Sequence, residues 1–339
     1  MPTIPSGKWA FTAKHQRILE SKRCMARGRH GQLCAGRIIR AHIIPRSQLR
    51  QIAHKGHVYA VPTSLMAVMQ MQHHGSFGAK EIGVGDFSTL GCFCAQHDKI
   101  LFAPLEDAPL TFSPEQLALL HYRAVAAEYY QRRNQEESAN TESLRFDEHD
   151  HRSDRFLWLS YTNGKAAEES FEALARTKKA LDKRKYAEIC ALVIEFNSKP
   201  SVLAVGAFRP VYDCIGKRVQ DLRQIAQYVA LHMLTKGRKA AIVLTWLRGE
   251  TAPANFAKCF SAQPKDHLTS LFIQTAFEHV EHTCMSADWW LGLKQAQRRP
   301  LLERVRRANS VHYRRSYRCL TYRIWYDDWD VERVDFVHC

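Results

Sequence analysis

Apolar residues recur at two different periods along this chain of 339 residues, and the change of period divides it. A helical pattern starts at Ser113, which caps the helix, with Pro114 in the first turn and Gln116 placed to reach back. Leu117, Leu120, Ala124, Ala127 and Tyr130 follow at three- and four-residue spacing, predicting a helix with one buried stripe. The stretch from Arg132 to Asp154 is polar and reads as a solvated loop or linker. A second helical pattern covers Ala166 to Ala187.

From about residue 188 the apolar runs become short and rich in β-formers. Ile189–Phe196, Ser201–Phe208 and Ala240–Trp246 predict strands, with a helix over Leu222–Leu234 and a last strand near Leu320–Trp325. The predicted fold class is α+β. It has an N-terminal region over residues 1–112, a helical connector with a polar linker over 113–186, and a mixed α/β domain with a basic C-terminal region over 187–339.

Composition narrows the function. Hydrophobic residues are 45% of the chain, enough for a packed core, yet no apolar run approaches the ~20 residues of a membrane span. The start, Met1-Pro-Thr-Ile-Pro-Ser6, lacks a charged region followed by an apolar core, so the expected location is cytoplasmic, with no membrane partner. A net charge of +15 points to a polyanion, and nucleic acid is the usual one. Arginines concentrate from Arg298 onward, with Tyr313, Tyr317, Tyr322 and Trp325 interleaved and Glu303 the only acid between residues 297 and 326. Arg298, Arg299, Arg306, Arg307, Arg314 and Arg315 are the expected nucleic-acid contacts, since guanidinium pairs bidentately with phosphate and rings stack on bases. The alternative is a solvated face paired with the acids of residues 326–332. The chain has no phosphate-cradling glycine loop and no nucleophile elbow. Glu195 with Lys199 is only a faint echo of a restriction-type metal site.

Cys190, Cys214, Cys259, Cys284, Cys319 and Cys339 are scattered singly and are expected to be free thiols. Cys24, Cys34, Cys92 and Cys94 instead lie near histidines. Cys24, Cys34, Cys94 and His97 supply the four soft or borderline ligands of a tetrahedral zinc site, with Cys94-x2-His97 opening a helix and Cys92 as the second choice to Cys94. His42 follows a predicted strand over residues 37–40 and precedes Ile43-Ile44-Pro45. It reads either as a general base, its ordinary pKa lying near neutrality, or as a further zinc ligand. Asp98 reads either as a carboxylate for a hard divalent cation, magnesium or manganese, or as a cap of its helix.

The set Cys24, Cys34, Ala41-His-Ile-Ile-Pro45 and Cys94-x2-His-Asp98 resembles the HNH (His-Me finger) endonuclease superfamily on a treble-clef zinc scaffold. The blocks Ala41–Leu49, Gln51–Tyr59, Phe87–Asp98, Phe102–Glu106 and Gln116–Glu128 are similar to those of a group of bacterial proteins, so the resemblance covers roughly residues 24 to 130. It implies a ββα-metal finger with structural zinc on Cys24, Cys34, Cys94 and His97, His42 as catalytic base and Asp98 as ligand of a catalytic magnesium or manganese. It also implies phosphodiester hydrolysis, DNA ahead of RNA as substrate, and a setting in defence against phage or foreign DNA, with a protein partner in a defence complex. Two positions depart from the family pattern: Ala41 stands where many members have an acidic metal ligand, and Asp98 where most have histidine or asparagine. The alternative is a zinc finger that binds nucleic acid, or acts as a sensor or adaptor, without cutting.

Overall fold

The computed structural model describes residues 17–26, 34, 36–63, 77–143, 151–308, 320 and 324–339. Its fold is mixed α+β, built on an eight-stranded antiparallel sheet with helices on both faces. The strands are β2 (His57–Ala60), β3 (Lys80–Gly83), β5 (Ile189–Phe196), β6 (Val202–Phe208), β7 (Val229–Lys236), β8 (Lys239–Leu247), β9 (His282–Met285) and β10 (Val331–Val337). Their order across the sheet is β10-β5-β8-β7-β6-β9-β2-β3. Residues 57–83 therefore complete a sheet that residues 189–337 begin, through Tyr59↔Met285 and Ala60↔Cys284.

Side chains alternate across the sheet, yet both faces are apolar because both are covered. Ile189, Ala191 and Val193 of β5 face helix α3 (Pro114–Ser143), whereas Cys190, Leu192 and Ile194 face α5 (Thr251–Ser261), α6 (Lys265–His279) and α8 (Gln295–Ala308). Beyond α3 lies a small unit in which β1 (Ile38–His42) pairs antiparallel with β4 (Thr89–Cys94), and β4 runs into helix α2 (Ala95–Glu106). Helix α1 (Arg46–Ile52) follows β1 and reaches the sheet, where Gln48 accepts from the Thr235 backbone and hydroxyl at 2.6 and 2.7 Å. Helix α4 (His151–Asp182) packs along α3, and α7 (Ala287–Gly292) follows β9. No described helix is long and apolar enough to cross a membrane.

Five expectations need correcting. The helix expected over Ala166–Ala187 is α4, which starts at His151 and ends at Asp182. Helix α3 does not stop at Tyr130 but continues to Ser143, because its polar residues bond along and across it. Arg132 pairs with Glu128 and Arg133 with Glu136, both at 2.7 Å, and Asn134 donates to the Leu19 carbonyl at 3.0 Å. The helix expected over Leu222–Leu234 is instead the turn before β7, then β7 itself. Residues 229–235 are buried between two neighbouring strands, and an apolar run of that length does not distinguish strand from helix by period. The last described strand is Val331–Val337, with the mixed polar pattern of an edge strand paired with β5, and residues 321–323 of the strand expected over Leu320–Trp325 lie outside the described residues. Cys214 and Cys259, read as free thiols, are joined as a disulfide between the loop after β6 and α5.

Three histidines, His121, His232 and His282, are buried with their pKa values pushed down to about 4, 3 and 4 by loss of hydration. For His232, the neighbouring His121 and Arg123 lower it further. A depressed histidine leaves the folded state neutral while the unfolded state takes up a proton below about pH 6.5, so stability is lost as pH falls. Glu250, raised to about 7 mainly by burial, works in the opposite sense. Both ring nitrogens of His232 lack a protein partner. His232→Leu is therefore expected to fold, and its loss of stability between pH 7 and pH 5 in urea titrations to be about 2 kcal/mol smaller than the parent's. An unchanged difference would show that His232 does not titrate in the unfolded state alone.

Candidate metal centre and the histidine beside it

The first ligand segment is held to β4 by its backbone: Arg23 N–H donates to the Gly91 carbonyl at 2.9 Å and Met25 N–H to that of Cys92 at 2.8 Å. Helix α3 fixes the same segment from the other side, with the Tyr122 hydroxyl donating to the Met25 carbonyl at 3.0 Å and Tyr130 to that of Ser21 at 2.7 Å. Cys24 is thereby buried beside the end of β4. At that end Cys94 caps α2, its Sγ accepting from His97 N–H at 3.4 Å, and the helix then places the His97 ring one turn on.

Cys34 completes the group. Its Sγ lies 3.1 Å from Cys94 Sγ and 3.2 Å from His97 Nδ1, and His97 Nδ1 lies 3.4 Å from Cys24 Sγ and 3.2 Å from Cys94 Sγ. All four ligand atoms fall within 4.8 Å of one another, and among the described residues no other group of three or more such side chains converges. A Cys3His tetrahedron around zinc has edges of about 3.6–3.8 Å; four of the six separations here fall short of that, and none exceeds 4.8 Å. The donor set fits a soft or borderline ion. Cys92, by contrast, is buried on β4 outside the cluster.

Gly36 is a contributor that spacing alone did not single out. A Cβ at this position would sit 2.8 Å from Cys94 Sγ, so the backbone can pass the sulfur only without a side chain. Its closeness in sequence to Cys34 was the available signal.

His42 stands at the end of β1, outside the four-ligand group. A bulge between Ile39 and Ala41 shifts the register there, and His42 pairs with Thr89. The loop after β3 closes over the ring. His42 Nε2 donates to the Val84 carbonyl at 3.0 Å, which fixes the neutral tautomer and leaves Nδ1 with its lone pair. Ser88 adopts a left-handed backbone, φ 59°, and is held so by accepting from Ile43 N–H and Ile44 N–H. Burial lowers the His42 pKa, the Val84 carbonyl opposes this, and Arg46 lowers it again. Glu106 raises it and Arg40 lowers it. The ring is thus neutral at pH 7.

Asp98 does not join His42. It is half-buried, its carboxyl pushed up to about 6 by loss of hydration and by Glu106 against an opposing pull from Arg123, and its Oδ1 has no protein partner. Arg123 of α3 is itself 2% exposed, pairs with Glu106 at 2.5 Å and lies 3.8 Å from the Phe102 ring centre. Asp98, Phe102 and Glu106 follow at four-residue spacing on one face of α2, with the two acids about 12 Å apart along the axis and the guanidinium over the ring between them. Ala41 is buried, 1% exposed, and offers no ligand. The residues present do not fit a catalytic magnesium or manganese beside His42. Behind them, a cavity for about one water molecule lies between Ile43, Gln48, Arg123 and His232.

The arginines of α8 are only partly available. Arg306 and Arg307 pair with Glu303, at 2.6 and 2.7 Å, rather than with the acids of residues 326–332. Arg298 donates to the Leu291 carbonyl, Arg299 is exposed, and Arg314 and Arg315 lie outside the described residues.

Gly36→Ala is expected to weaken metal retention at least tenfold in a chelator competition while leaving the far-ultraviolet spectrum intact, because it crowds Cys94 and not the sheet. Unchanged retention would show that the cluster does not depend on this approach. Comparison with protein-family models, with curated proteins and with solved structures finds no match to this chain.

Proposed function

We propose that the β1–β4–α2 unit is a zinc-stabilised, HNH-like treble-clef finger that cleaves phosphodiester bonds in nucleic acid. The observation that carries this reading is the separation of roles. Four side chains converge closely enough to hold one ion, and they leave His42 outside with its Nε2 on the Val84 carbonyl. Bound zinc would hold Cys24, Cys34, Cys94 and His97 together and so set the end of β1 against α2. His42 Nδ1, neutral at pH 7, then takes the proton of the attacking nucleophile. Arg40 and Arg46 flank it and neutralise the phosphate, although Arg40 is already held by Asp86 at 2.9 Å.

The arginines of α8 would bind the nucleic-acid backbone independently of sequence, with strong dependence on salt. Defence against phage or foreign nucleic acid, in the cytoplasm and with a protein partner, is the biological setting we propose, by analogy with the resemblance in residues 24–130. A second reading has specific support. Ala41 and the Arg123 guanidinium leave no place for a catalytic divalent ion, which suits a zinc finger that binds nucleic acid without cutting.

Purified protein, with its zinc content measured, is to be incubated with plasmid, single-stranded DNA and RNA beside His42→Ala. The expected outcome is a loss of cleavage of about 10²–10⁴-fold in the variant with one zinc retained. Nucleic-acid binding with no cleavage by either protein would leave the binding module. Because the His42 pKa lies below its ordinary 6.5, the rate should be flat from pH 8 to 7 and fall only on the acid side of 6.5.

A further inference from the structure

A divalent ion in a nuclease supplies positive charge at the phosphate and an activated water, and this finger lacks the groups to hold one. The position before His42 is Ala41, buried and without a donor. Of the carboxylates on α2, Glu106 is paired with the Arg123 guanidinium, which α3 lays over the Phe102 ring, and Asp98 lies about 12 Å from Glu106 along the helix axis. Arg123 is buried on Phe102 and paired with Glu106. The positive charge beside these acids is therefore part of the chain.

On the outer side of His42 a second guanidinium is available. Arg46, at the start of α1, is exposed, acts electrostatically on His42 and has no carboxylate within ion-pair distance among the described residues. Its Nη2 passes 3.9 Å from where a Cβ on Gly85 would stand, which places it over the loop whose Val84 carbonyl holds the His42 ring. His42 and Arg46 together offer a proton acceptor and a phosphate clamp. They do not offer a means of ionising water against a DNA phosphodiester.

RNA removes that need because it carries its own nucleophile. The ribose 2′-hydroxyl lies next to the phosphate, and such intramolecular attack has effective molarities on the order of 10⁵–10⁸ M. Resting on the nuclease reading above, we propose that the substrate is RNA, cleaved without a catalytic divalent cation by His42 and Arg46. The 2′-hydroxyl proton passes to His42 Nδ1 as the 2′-oxygen bonds to phosphorus. The bond from phosphorus to the 5′-oxygen breaks, and solvent protonates the leaving oxygen. The products are a 2′,3′-cyclic phosphate and a 5′-hydroxyl, and His42 returns its proton to solvent. Arg46 holds the non-bridging oxygens throughout.

The test uses the full chain carrying one measured equivalent of zinc. The probes are a single-stranded RNA, the DNA of the same sequence, and the RNA with 2′-O-methyl groups throughout. Each is assayed with magnesium, with no added divalent ion, and with cobalt hexammine, which cannot bind a ligand directly. RNA cleavage within about twofold under all three conditions is expected, with cyclic-phosphate ends by mass spectrometry and no cutting of the other two probes. Arg46→Ala should lower the rate at least thirtyfold with zinc retained. A magnesium requirement above tenfold, equal cleavage of DNA, or an unaffected Arg46→Ala would overturn this inference while His42-dependent cutting kept the nuclease reading. Absence of His42-dependent cutting of any probe under every ion would overturn both.

Discussion

Helix α3 has to satisfy two surfaces at once, and the rest of the molecule is arranged around that demand. From Gln116 to Tyr130 every residue is buried, so the helix cannot be amphipathic in the usual sense. Its apolar side chains fill the layer beneath β5, β6, β7 and β8, while its polar ones tie down the β1–β4–α2 unit. Gln116 donates to the Pro104 and Pro109 carbonyls at 2.8 and 2.9 Å and accepts from Thr111 and Phe112, closing the turn between α2 and α3. His121 contacts the Thr245 hydroxyl on the sheet at 3.1 Å. A buried polar group without a partner would cost on the order of 1–3 kcal/mol, which these cross-links avoid at Gln116, Tyr122 and Tyr130.

The same helix connects fold to chemistry. Tyr122 and Tyr130 hold the backbone around Cys24, and Arg123 occupies the space beside Asp98 and Glu106. Three sulfurs and an imidazole brought this close repel one another once the thiols ionise, and a bound ion turns that repulsion into cohesion. A bound ion would act on His42 through β4, since Ile38 pairs with Cys94 at one end of the ladder and His42 with Thr89 at the other. In the proposed reaction His42 would depend on such an ion for its position and not for its chemistry.

Much of the site was legible in the chain because ligand chemistry is local. A Cys-x2-His at a helix start carries its meaning in a few residues, and the structure brings Cys94 and His97 together with Cys24 and Cys34. Strands β5, β6 and β8 were legible as buried apolar runs. What could not be read depends on partners distant in sequence. Residues 132–143 look like a linker until Glu128, Glu136 and the Leu19 carbonyl are set beside them. Residues 229–235 look helical until two neighbouring strands claim them. Arg123 lies in a helical stretch with no hint in the sequence that it pairs with Glu106 and lies over Phe102, on the helix that carries Asp98.

The account turns on an ion held by Cys24, Cys34, Cys94 and His97 and by nothing else, leaving His42 free. X-ray absorption at the zinc edge on the purified protein addresses this directly. The predicted result is stoichiometric zinc with three sulfurs at about 2.3 Å and one nitrogen at about 2.0–2.1 Å, unchanged in His42→Ala. A second nitrogen that disappears in His42→Ala would contradict the account, because it would make His42 a ligand and remove the base.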